Sequence, residues 1–209
     1  MRRRTSGRWP ATDVGPEPGE SLVRRTQDLL SAGARSPLVV GVDGRSGSGK
    51  TDLAARLEED LSASGTGVTT VHLDDLYPGW SGLAAGLEVL CREILVPLRT
   101  GSDAAYRSWD WVAGRPGALR RVRTSAVVLV EGVGVLSSGC ADLVDLRVWL
   151  EAPPDVRRVR ALARDGDTFA PWWTTWAEQE EQLLRRGRPE ADVVLDTVSG
   201  RLTWSRLAP

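Results

Sequence analysis

The stretch PLVVGVDGRSGSGKT, residues 37–51, decides the fold of this chain. It opens with an apolar run and continues into a turn that holds three glycines. Beyond the turn, Leu53, Leu57 and Leu61 recur at every fourth residue. An apolar run next to a turn signal predicts a buried strand, and a spacing of four predicts an amphipathic helix. The stretch therefore predicts a strand, a glycine-rich turn and a helix in direct succession.

The turn fits the pattern G-x-x-x-x-G-K-[ST] without a mismatch. Its glycines let backbone N–H groups point at phosphate oxygens at the positive end of the helix dipole. Lys50 is the single lysine among 27 lysine and arginine residues, and a compact ammonium fits over such a loop where a planar guanidinium does not. The alternative is a turn that binds nothing. We predict that ATP and Mg²⁺ bind at Gly44, Arg45, Ser46, Gly47, Ser48, Gly49, Lys50 and Thr51, with the Thr51 hydroxyl on the metal.

The rest of the chain alternates predicted strands with predicted helices. The strands are GVTTVHLDD, TSAVVLVEG, DLRVWLEA and ADVVLD. One helix carries Leu83 to Ile94 and is expected to end at Pro97, since proline breaks a helix interior. This alternation predicts an α/β protein of the P-loop NTPase type, with three α/β/α layers, a mostly parallel sheet and a short helical lid.

Composition limits the class of protein. The 209 residues suit one domain, and a net charge of -1 gives no basic field for nucleic acid or an anionic membrane. No apolar run reaches the roughly 18 residues of a membrane span. Residues 1–19 are rich in arginine and proline, which predicts a disordered tail in preference to a transit peptide, and leaves 20–209 as the P-loop domain. Cys91 and Cys140 show no ligand spacing and predict reduced thiols in a cytoplasmic protein.

Acidic residues follow two of the predicted strands. Asp74 and Asp75 end the second strand, and Glu131 ends the third. Parallel strands place their carboxyl ends at one edge of the sheet, beside the phosphate loop. We predict that Asp74 deprotonates an acceptor hydroxyl and that Glu131 joins Thr51 in holding Mg²⁺. Alternatively the aspartates cap the following turn, with Asp75 open between a cap and the metal shell, and Glu131 is a solvated strand end.

With these residues in place, the chain resembles the uridine kinase family of nucleoside kinases, relatives of phosphoribulokinase and bacterial pantothenate kinase. The likeness runs over roughly residues 37–196 through GVDGRSGSGKT, HLDDLY, VLVEGV, RALARD and ADVVLD. The resemblance implies that Asp74 activates the acceptor hydroxyl and that Thr51 and Glu131 form the magnesium shell. It also implies that Asp110, in YRSWDW, holds ribose hydroxyls, with Tyr77 and Trp109 beside the acceptor, and it hints at a homo-oligomer.

An arginine row precedes the predicted lid at residues 157–180. Arg157, Arg160 and Arg164 share one helix face by their spacing. We expect Arg160 and Arg164 to close over the transferring phosphoryl group, although a solvated basic face is the alternative. The family's Arg-Gly-Arg is missing beyond Arg164, where the chain reads GDTFAPWW.

Aromatic residues gather in the regions expected around the acceptor. Tryptophan faces suit stacking on a flat base, but at helical spacing they serve equally as packing. The one histidine, His72, lies inside a predicted strand and is expected to be a core or strand-end residue. The six tryptophans in question are Trp80, Trp109, Trp111, Trp172, Trp173 and Trp176.

The predicted activity is transfer of the ATP γ-phosphate to a small molecule, with the 5′-hydroxyl of uridine or cytidine as the first choice. The same machinery could instead act on pantothenate, a sugar or a sugar phosphate. A slow NTPase switch that signals to a partner protein is the alternative from another class. Phosphoryl transfer needs mostly positioning and charge neutralisation, which the predicted residues can supply.

Overall fold

The computed structural model describes residues 17–205. Residues 1–16 of the expected tail lie outside this part. The first helix begins at Pro18, so the folded part starts two residues before the predicted boundary at residue 20. Within residues 17–205, no helix has both the length and the apolar character that crossing a membrane requires.

The central sheet has six strands in the order β2-β5-β1-β6-β7-β8. The first five are parallel, and β8 runs antiparallel to β7 at the edge. Parallel strands buried on both faces are apolar throughout, and every residue of β1 is buried. The predicted mostly parallel sheet is confirmed. The strands are β1 (Leu38–Asp43), β2 (Val68–His72), β5 (Val127–Glu131), β6 (Leu146–Glu151), β7 (Val193–Asp196) and β8 (Leu202–Trp204), and a separate hairpin holds β3 (Ala104–Asp110) and β4 (Arg115–Val122).

Helices cover both faces of the sheet, which makes the three predicted layers. One face packs against α1 and α2, whose leucines share a core with Val40 and Val42 of β1. The other packs against the remaining helices, in a core that includes Val39 and Val130. The helices are α1 (Pro18–Ser31), α2 (Lys50–Ala63), α3 (Leu83–Val89), α4 (Val96–Arg99), α5 (Pro154–Phe169) and α6 (Trp173–Leu183).

Pro97 does not end the helix that begins at Leu83. A π-helical segment, Leu90–Leu95, joins α3 to α4, and Pro97 lies in the first turn of α4. The residues at both junctions have helical backbone angles, so the helical path is continuous from Leu83 to Arg99. The prediction of a helix stop at Pro97 was therefore wrong by two residues.

The hairpin of β3 and β4 was not predicted from the sequence. Its inner face is buried through Ala104, Tyr106 and Val122, while most of β4 is exposed. The hairpin packs on the π-helical segment and on the turn that follows β2, and so covers one side of the site described below.

Cys91 and Cys140 form a disulfide, which corrects the prediction of two reduced thiols. Their Cα atoms are 5.6 Å apart although 49 residues separate them in sequence. Cys91 belongs to the π-helical segment, and Cys140 belongs to the loop after β5. The pairing results from packing between these two segments, so no short cysteine spacing could have revealed it.

Candidate active site

The phosphate loop lies between β1 and α2, as the sequence predicts. Gly44, Gly47 and Gly49 have φ angles of 148°, 76° and 98°, which L side chains rarely adopt. A Cβ on Gly44 would lie 2.5 Å from the Leu150 carbonyl oxygen, and one on Gly47 would lie 2.0 Å from the carbonyl oxygen of Arg157. Both positions therefore require glycine for their backbone angle and for the close approach of neighbouring backbone.

The functional side chains of the loop meet the end of β5. Lys50 is 8% exposed and donates from Nζ to the Arg45 carbonyl oxygen at 3.2 Å. The Thr51 hydroxyl donates to Glu131 Oε1 at 3.3 Å, and Glu131 is only 3% exposed. The structure thus brings Thr51 and Glu131 together, 80 residues apart in sequence.

His72 also touches Glu131. It is the last residue of β2, in register with Glu131 on β5, and its Nδ1 lies 2.8 Å from Glu131 Oε1. This hydrogen bond raises the pKa of His72 above its ordinary value, against the opposing effect of burial. Sequence reasoning expected His72 to be a core or strand-end residue and missed the contact. The available signal was that both residues end neighbouring strands.

The oxygen donors at this point suit a magnesium ion. Mg²⁺ usually takes one or two carboxylates, several waters and the phosphates of its substrate. Thr51 and Glu131 offer such a set beside the glycine turn. The buried Ser48 hydroxyl has no hydrogen-bond partner there, so the cradle retains an unused polar atom. Among residues 17–205 no group of three or more His, Cys, Asp and Glu side chains is placed to hold a metal ion.

A second buried carboxylate, Asp43, ties the phosphate loop to the loop after β5. Its oxygens accept the N–H groups of Gly44, Gly134 and Leu136 at 2.6, 2.8 and 2.8 Å. Burial raises the pKa of Asp43, while these three hydrogen bonds oppose the shift. Sequence reasoning gave Asp43 no role, although it occupies the last position of β1.

Asp74 and Asp75 point to different places. Asp74 is exposed at the cleft. The protein packed around its carboxylate removes part of its solvation and so raises its pKa. The charge of Glu131 adds to this rise, and the charges of Arg164 and Lys50 oppose it. Asp75 turns to the hairpin, where it accepts the Tyr106 hydroxyl at 3.3 Å and pairs with Arg120 at 3.6 Å. Asp75 therefore contacts the hairpin, whereas Asp74 lines the cleft.

The cleft beside the phosphate loop has a volume of about 390 Å³ and is walled by aromatic rings. Trp80 is the centre of the wall, with ring centroids 4.5 Å from Trp111, 5.3 Å from Phe169, 6.1 Å from Trp172 and 6.5 Å from Trp176. The lining residues are Ser46, Asp74, Tyr77, Trp80, Trp111, Arg164, Asp165, Thr168, Phe169 and Trp176.

Two of the three predicted acceptor residues do not line the cleft. Asp110 is exposed and accepts the N–H groups of Val112 and Ala113, both at 3.0 Å, so it shapes the hairpin turn. Trp109 is also outside the lining, and it is the next tryptophan, Trp111, that reaches the cleft. Asp110 as a ribose ligand and Trp109 as an acceptor contact therefore stay predictions that the lining of this cleft does not support.

Hydrogen bonds hold two of the cleft-lining aromatic residues, Tyr77 and Trp111, in place. Tyr77 is fully buried and donates its hydroxyl to the Val133 carbonyl oxygen at 2.9 Å, which leaves its ring as part of the floor. Trp111 donates from Nε1 to the Asp74 carbonyl oxygen at 2.8 Å. The tip of the hairpin is thereby fastened to the turn that carries Asp74.

The three arginines of the predicted row contact different parts of the molecule. Arg157 is buried and donates to the carbonyl oxygens of Ser46 and Ala152, both at 3.2 Å. Arg160 donates to the hydroxyl and carbonyl oxygens of Thr197, at 2.8 and 3.2 Å, and is not among the residues that line the cleft. The place of Arg160 over the phosphoryl group therefore stays a prediction, which these contacts do not support.

Arg164 does line the cleft and pairs with its neighbour Asp165 at 2.7 Å. The next residue, Gly166, has a φ of 53° and a ψ of -134°, which breaks the regular path of α5 directly after this pair.

Known proteins similar to this chain include several kinases. The chain is 26% identical to the uridine kinase of Limosilactobacillus reuteri over 147 residues, which is 63% of this chain and 66% of that protein. It is 30% identical to the uridine kinase of Deinococcus deserti over 144 residues, 62% of this chain and 69% of that protein. The chain therefore spans about two thirds of these relatives' length. No protein-family model matches it.

Solved structures show the same fold. A possible uridine kinase from Bacillus stearothermophilus superposes with a TM-score of 0.55 at 24% identity, covering 84% of this chain and 100% of that one. The D-glycerate 3-kinase of Cryptococcus neoformans gives a TM-score of 0.63 at 13% identity, covering 91% of this chain and 100% of the other.

Proposed function

Because this chain belongs to the uridine kinase family, we propose that it transfers the γ-phosphate of ATP to a hydroxyl group of a small molecule. One observation carries the proposal: Ser46 of the phosphate loop and the carboxylate of Asp74 line the same cleft. A phosphate donor and a base for the acceptor would thus face the same cleft, as in-line phosphoryl transfer requires.

The phosphate side would bind the triphosphate through the backbone amides of the turn and through Lys50. Thr51 and Glu131 would hold Mg²⁺, which when bound neutralises charge on the phosphate oxygens. His72 keeps Glu131 in place by its hydrogen bond at 2.8 Å. These residues position the donor and exclude bulk water, and they perform no covalent chemistry themselves.

On the acceptor side, Asp74 would take the proton of the attacking hydroxyl. Its raised pKa makes it a stronger base than an ordinary aspartate, which suits this role. Arg164 lines the same cleft and pairs with Asp165. Its guanidinium would stabilise the negative charge on the phosphoryl group. The bond from the γ-phosphorus to the ADP oxygen breaks as the bond to the acceptor oxygen forms.

For the acceptor itself, we propose the 5′-hydroxyl of a pyrimidine nucleoside, with the base against the indole of Trp80. The enclosing aromatic rings support a ligand with a flat apolar face. A sugar is the second candidate, since the polar residues lining the described cleft are Ser46, Asp74, Arg164, Asp165 and Thr168. All of these bind hydroxyl groups well, and no amide or imidazole side chain among them would read a base edge.

A panel assay tests the proposal. Purified protein with Mg²⁺ and ATP is given uridine, cytidine, pantothenate, glycerate and several hexoses, and ADP release is compared with the rate in buffer alone. We expect one class of hydroxyl compound to raise the rate well above the water rate. If every compound leaves the rate at the water value, the kinase proposal fails and a slow hydrolytic switch takes its place.

Asp74→Asn, compared with Asp75→Asn, tests the role of the base. The first change should lower kcat by about 10²–10⁴-fold, because it removes the proton acceptor, and should leave MgADP binding nearly unchanged. Asp75→Asn is a matched control, since Asp75 faces Tyr106 and Arg120 on the hairpin. Equal losses in both variants, or joint loss of nucleotide binding, would contradict the assignment.

A further inference from the structure

Helix α6 contacts both halves of the site through two adjacent residues, Gln179 and Glu180, which we call the α6 brace. Neither was singled out by the sequence, and the proposed mechanism gives neither a role. Glu180 is 1% exposed and lies against the phosphate loop. Gln179 lies against the turn that carries Trp80.

Glu180 holds the Ser46 peptide from its N–H side. The carboxylate accepts the Ser46 N–H at 2.7 Å. Arg157 holds the same residue from the other side, donating to its carbonyl oxygen at 3.2 Å, and its guanidinium lies 3.9 Å from Glu180. The backbone of Ser46 is therefore fixed at both its donor and its acceptor.

Burial of this carboxylate needs a reason, because an ionised group leaves water at a high cost unless it is paired and hydrogen-bonded. Glu180 meets that condition only through Ser46 and Arg157. It also takes the one N–H of Ser46, so the phosphates are left to the amides that follow in the loop. The contacts of Glu180 and Arg157 thus fix the orientation of Ser46, which lines the cleft proposed to hold both donor and acceptor.

Gln179 holds the acceptor side in a comparable way. Its Nε2 donates to the Trp80 carbonyl oxygen at 2.8 Å, and its Oε1 accepts the Leu83 N–H at 3.3 Å. One turn earlier, the ring of Trp176 packs edge-on against Tyr77 with centroids 4.9 Å apart. A single rigid helix thus touches the phosphate loop and the aromatic wall.

We propose that Glu180 is a positioning residue for phosphoryl transfer, which orients the Ser46 segment of the phosphate loop, and that the α6 brace sets the distance between the donor and acceptor sides. This inference rests on the proposed kinase function. It also revises the predicted lid at residues 157–180, because α6 is anchored to both sides and belongs to the fixed part of the site.

The test compares Glu180→Ala, Glu180→Gln and Glu178→Ala. Glutamine keeps an oxygen that accepts the Ser46 N–H, whereas alanine removes it. Glu178 is a matched control because it is exposed on the same helix. We expect Glu180→Ala to lower kcat by about 10–10²-fold, in line with the loss of preorganised geometry, with little change in the KM of the acceptor. Glu180→Gln should stay within about threefold of wild type, and Glu178→Ala should match wild type.

Hydrogen exchange of the peptide that contains Ser46 gives a readout that does not depend on transfer. Without nucleotide, the Ser46 amide should exchange at least tenfold faster in Glu180→Ala than in wild type, and should stay protected in Glu180→Gln. Unchanged exchange in Glu180→Ala overturns the inference even if the kinase assay succeeds. A glutamine variant as slow in turnover as the alanine variant also overturns it, since the carboxylate charge would then act in the chemistry. Failure of the wild-type panel assay, by contrast, removes the proposed function and leaves the exchange result to decide on the brace.

Discussion

The two sides of the cleft are built in opposite ways. The phosphate side is one run of consecutive residues, Gly44–Thr51, whose shape depends on local backbone angles and on the start of α2. The acceptor side comes from separate segments: the turn after β2, the hairpin tip, the end of α5 and the start of α6. The first can be recognised as a pattern, while the second exists only when distant segments pack together.

The two sides should also differ in how well they tolerate substitution of their residues. On the phosphate side a Cβ at Gly47 would fall 2.0 Å from a backbone oxygen, so even the smallest change is opposed by groups that cannot move aside. The acceptor wall is made of side-chain rings, whose sizes can be exchanged. We expect nucleotide binding to depend on exact residue type, and acceptor choice to be open to change by substitution.

Lys50→Arg should have the largest effect on the use of ATP. It keeps the positive charge but replaces a compact ammonium with a planar fork, in a place where Lys50 is already 8% exposed and enclosed. We expect kcat/KM for ATP to fall by about 10²–10³-fold, the usual loss for one preorganised group at a developing charge. Steady-state kinetics at varied ATP measure this. Arg158→Lys, an exchange in the opposite direction at an exposed arginine, serves as the control. A loss of less than tenfold in Lys50→Arg would refute the argument from the shape of the charged group.

Trp80→Ala should act on the acceptor and spare the nucleotide. Truncating a tryptophan at the centre of a packed wall costs about 2 kcal/mol, which corresponds to about 30-fold in kcat/KM for the acceptor. The KM for ATP should not change. Trp109→Ala is the matched comparison, because Trp109 is only two residues from the cleft-lining Trp111 but is not itself among the lining residues. Equal effects of both variants would return Trp109 to the acceptor site.

The pH dependence of turnover should report Asp74. The pKa of Asp74 is raised above 3.8, first because the surrounding protein removes solvation and then because Glu131 is negatively charged. The positive charges of Arg164 and Lys50 reduce that rise. Asp165 adds to it. A base must be deprotonated, so kcat/KM should fall by about tenfold per pH unit below the raised pKa. The acid limb should lie above the pH at which an ordinary aspartate titrates. A limb at or below that pH, or one that persists in Asp74→Asn, would count against Asp74 as the base.

Reduction of the disulfide should change stability more than turnover. The bond ties the helix beneath the acceptor side to the loop after β5, and both cysteines lie outside the cleft lining. Loss of such a crosslink should lower the free energy of unfolding by about 2–4 kcal/mol. Denaturant melts with and without reductant measure the change, with Cys91→Ser as a variant that reductant should not affect. Free thiols in the untreated protein would restore the original prediction of reduced cysteines.

The local elements were predictable from the sequence. The run before Gly44 predicted β1, the leucines at every fourth residue predicted α2, and the acidic strand ends predicted Asp74 and Glu131 near the loop. Each of these predictions depends on the spacing of apolar residues or on a motif within a short stretch of sequence. Backbone geometry then decides on which face of the helix or strand each side chain lies. The structure confirms these elements and the three-layer fold.

The contacts between distant segments were not predictable in this way. Asp110 matched a family position in sequence, yet it is the last residue of β3 and accepts an N–H group of the hairpin turn. Glu180 drew no prediction, and Arg157 was predicted only as part of an arginine row on one helix face, because burial cannot be read from a polar letter. The disulfide joins residues that no spacing relates.

The sequence by itself determined the phosphate loop, its strand and its helix, because a glycine turn before a helix start forms a phosphate site from its own backbone. Only the tertiary structure decided which rings surround Trp80, which carboxylate opens into the cleft and which helix braces the two sides. Those features depend on where separate segments meet in space, and that is set by the packing of the whole core.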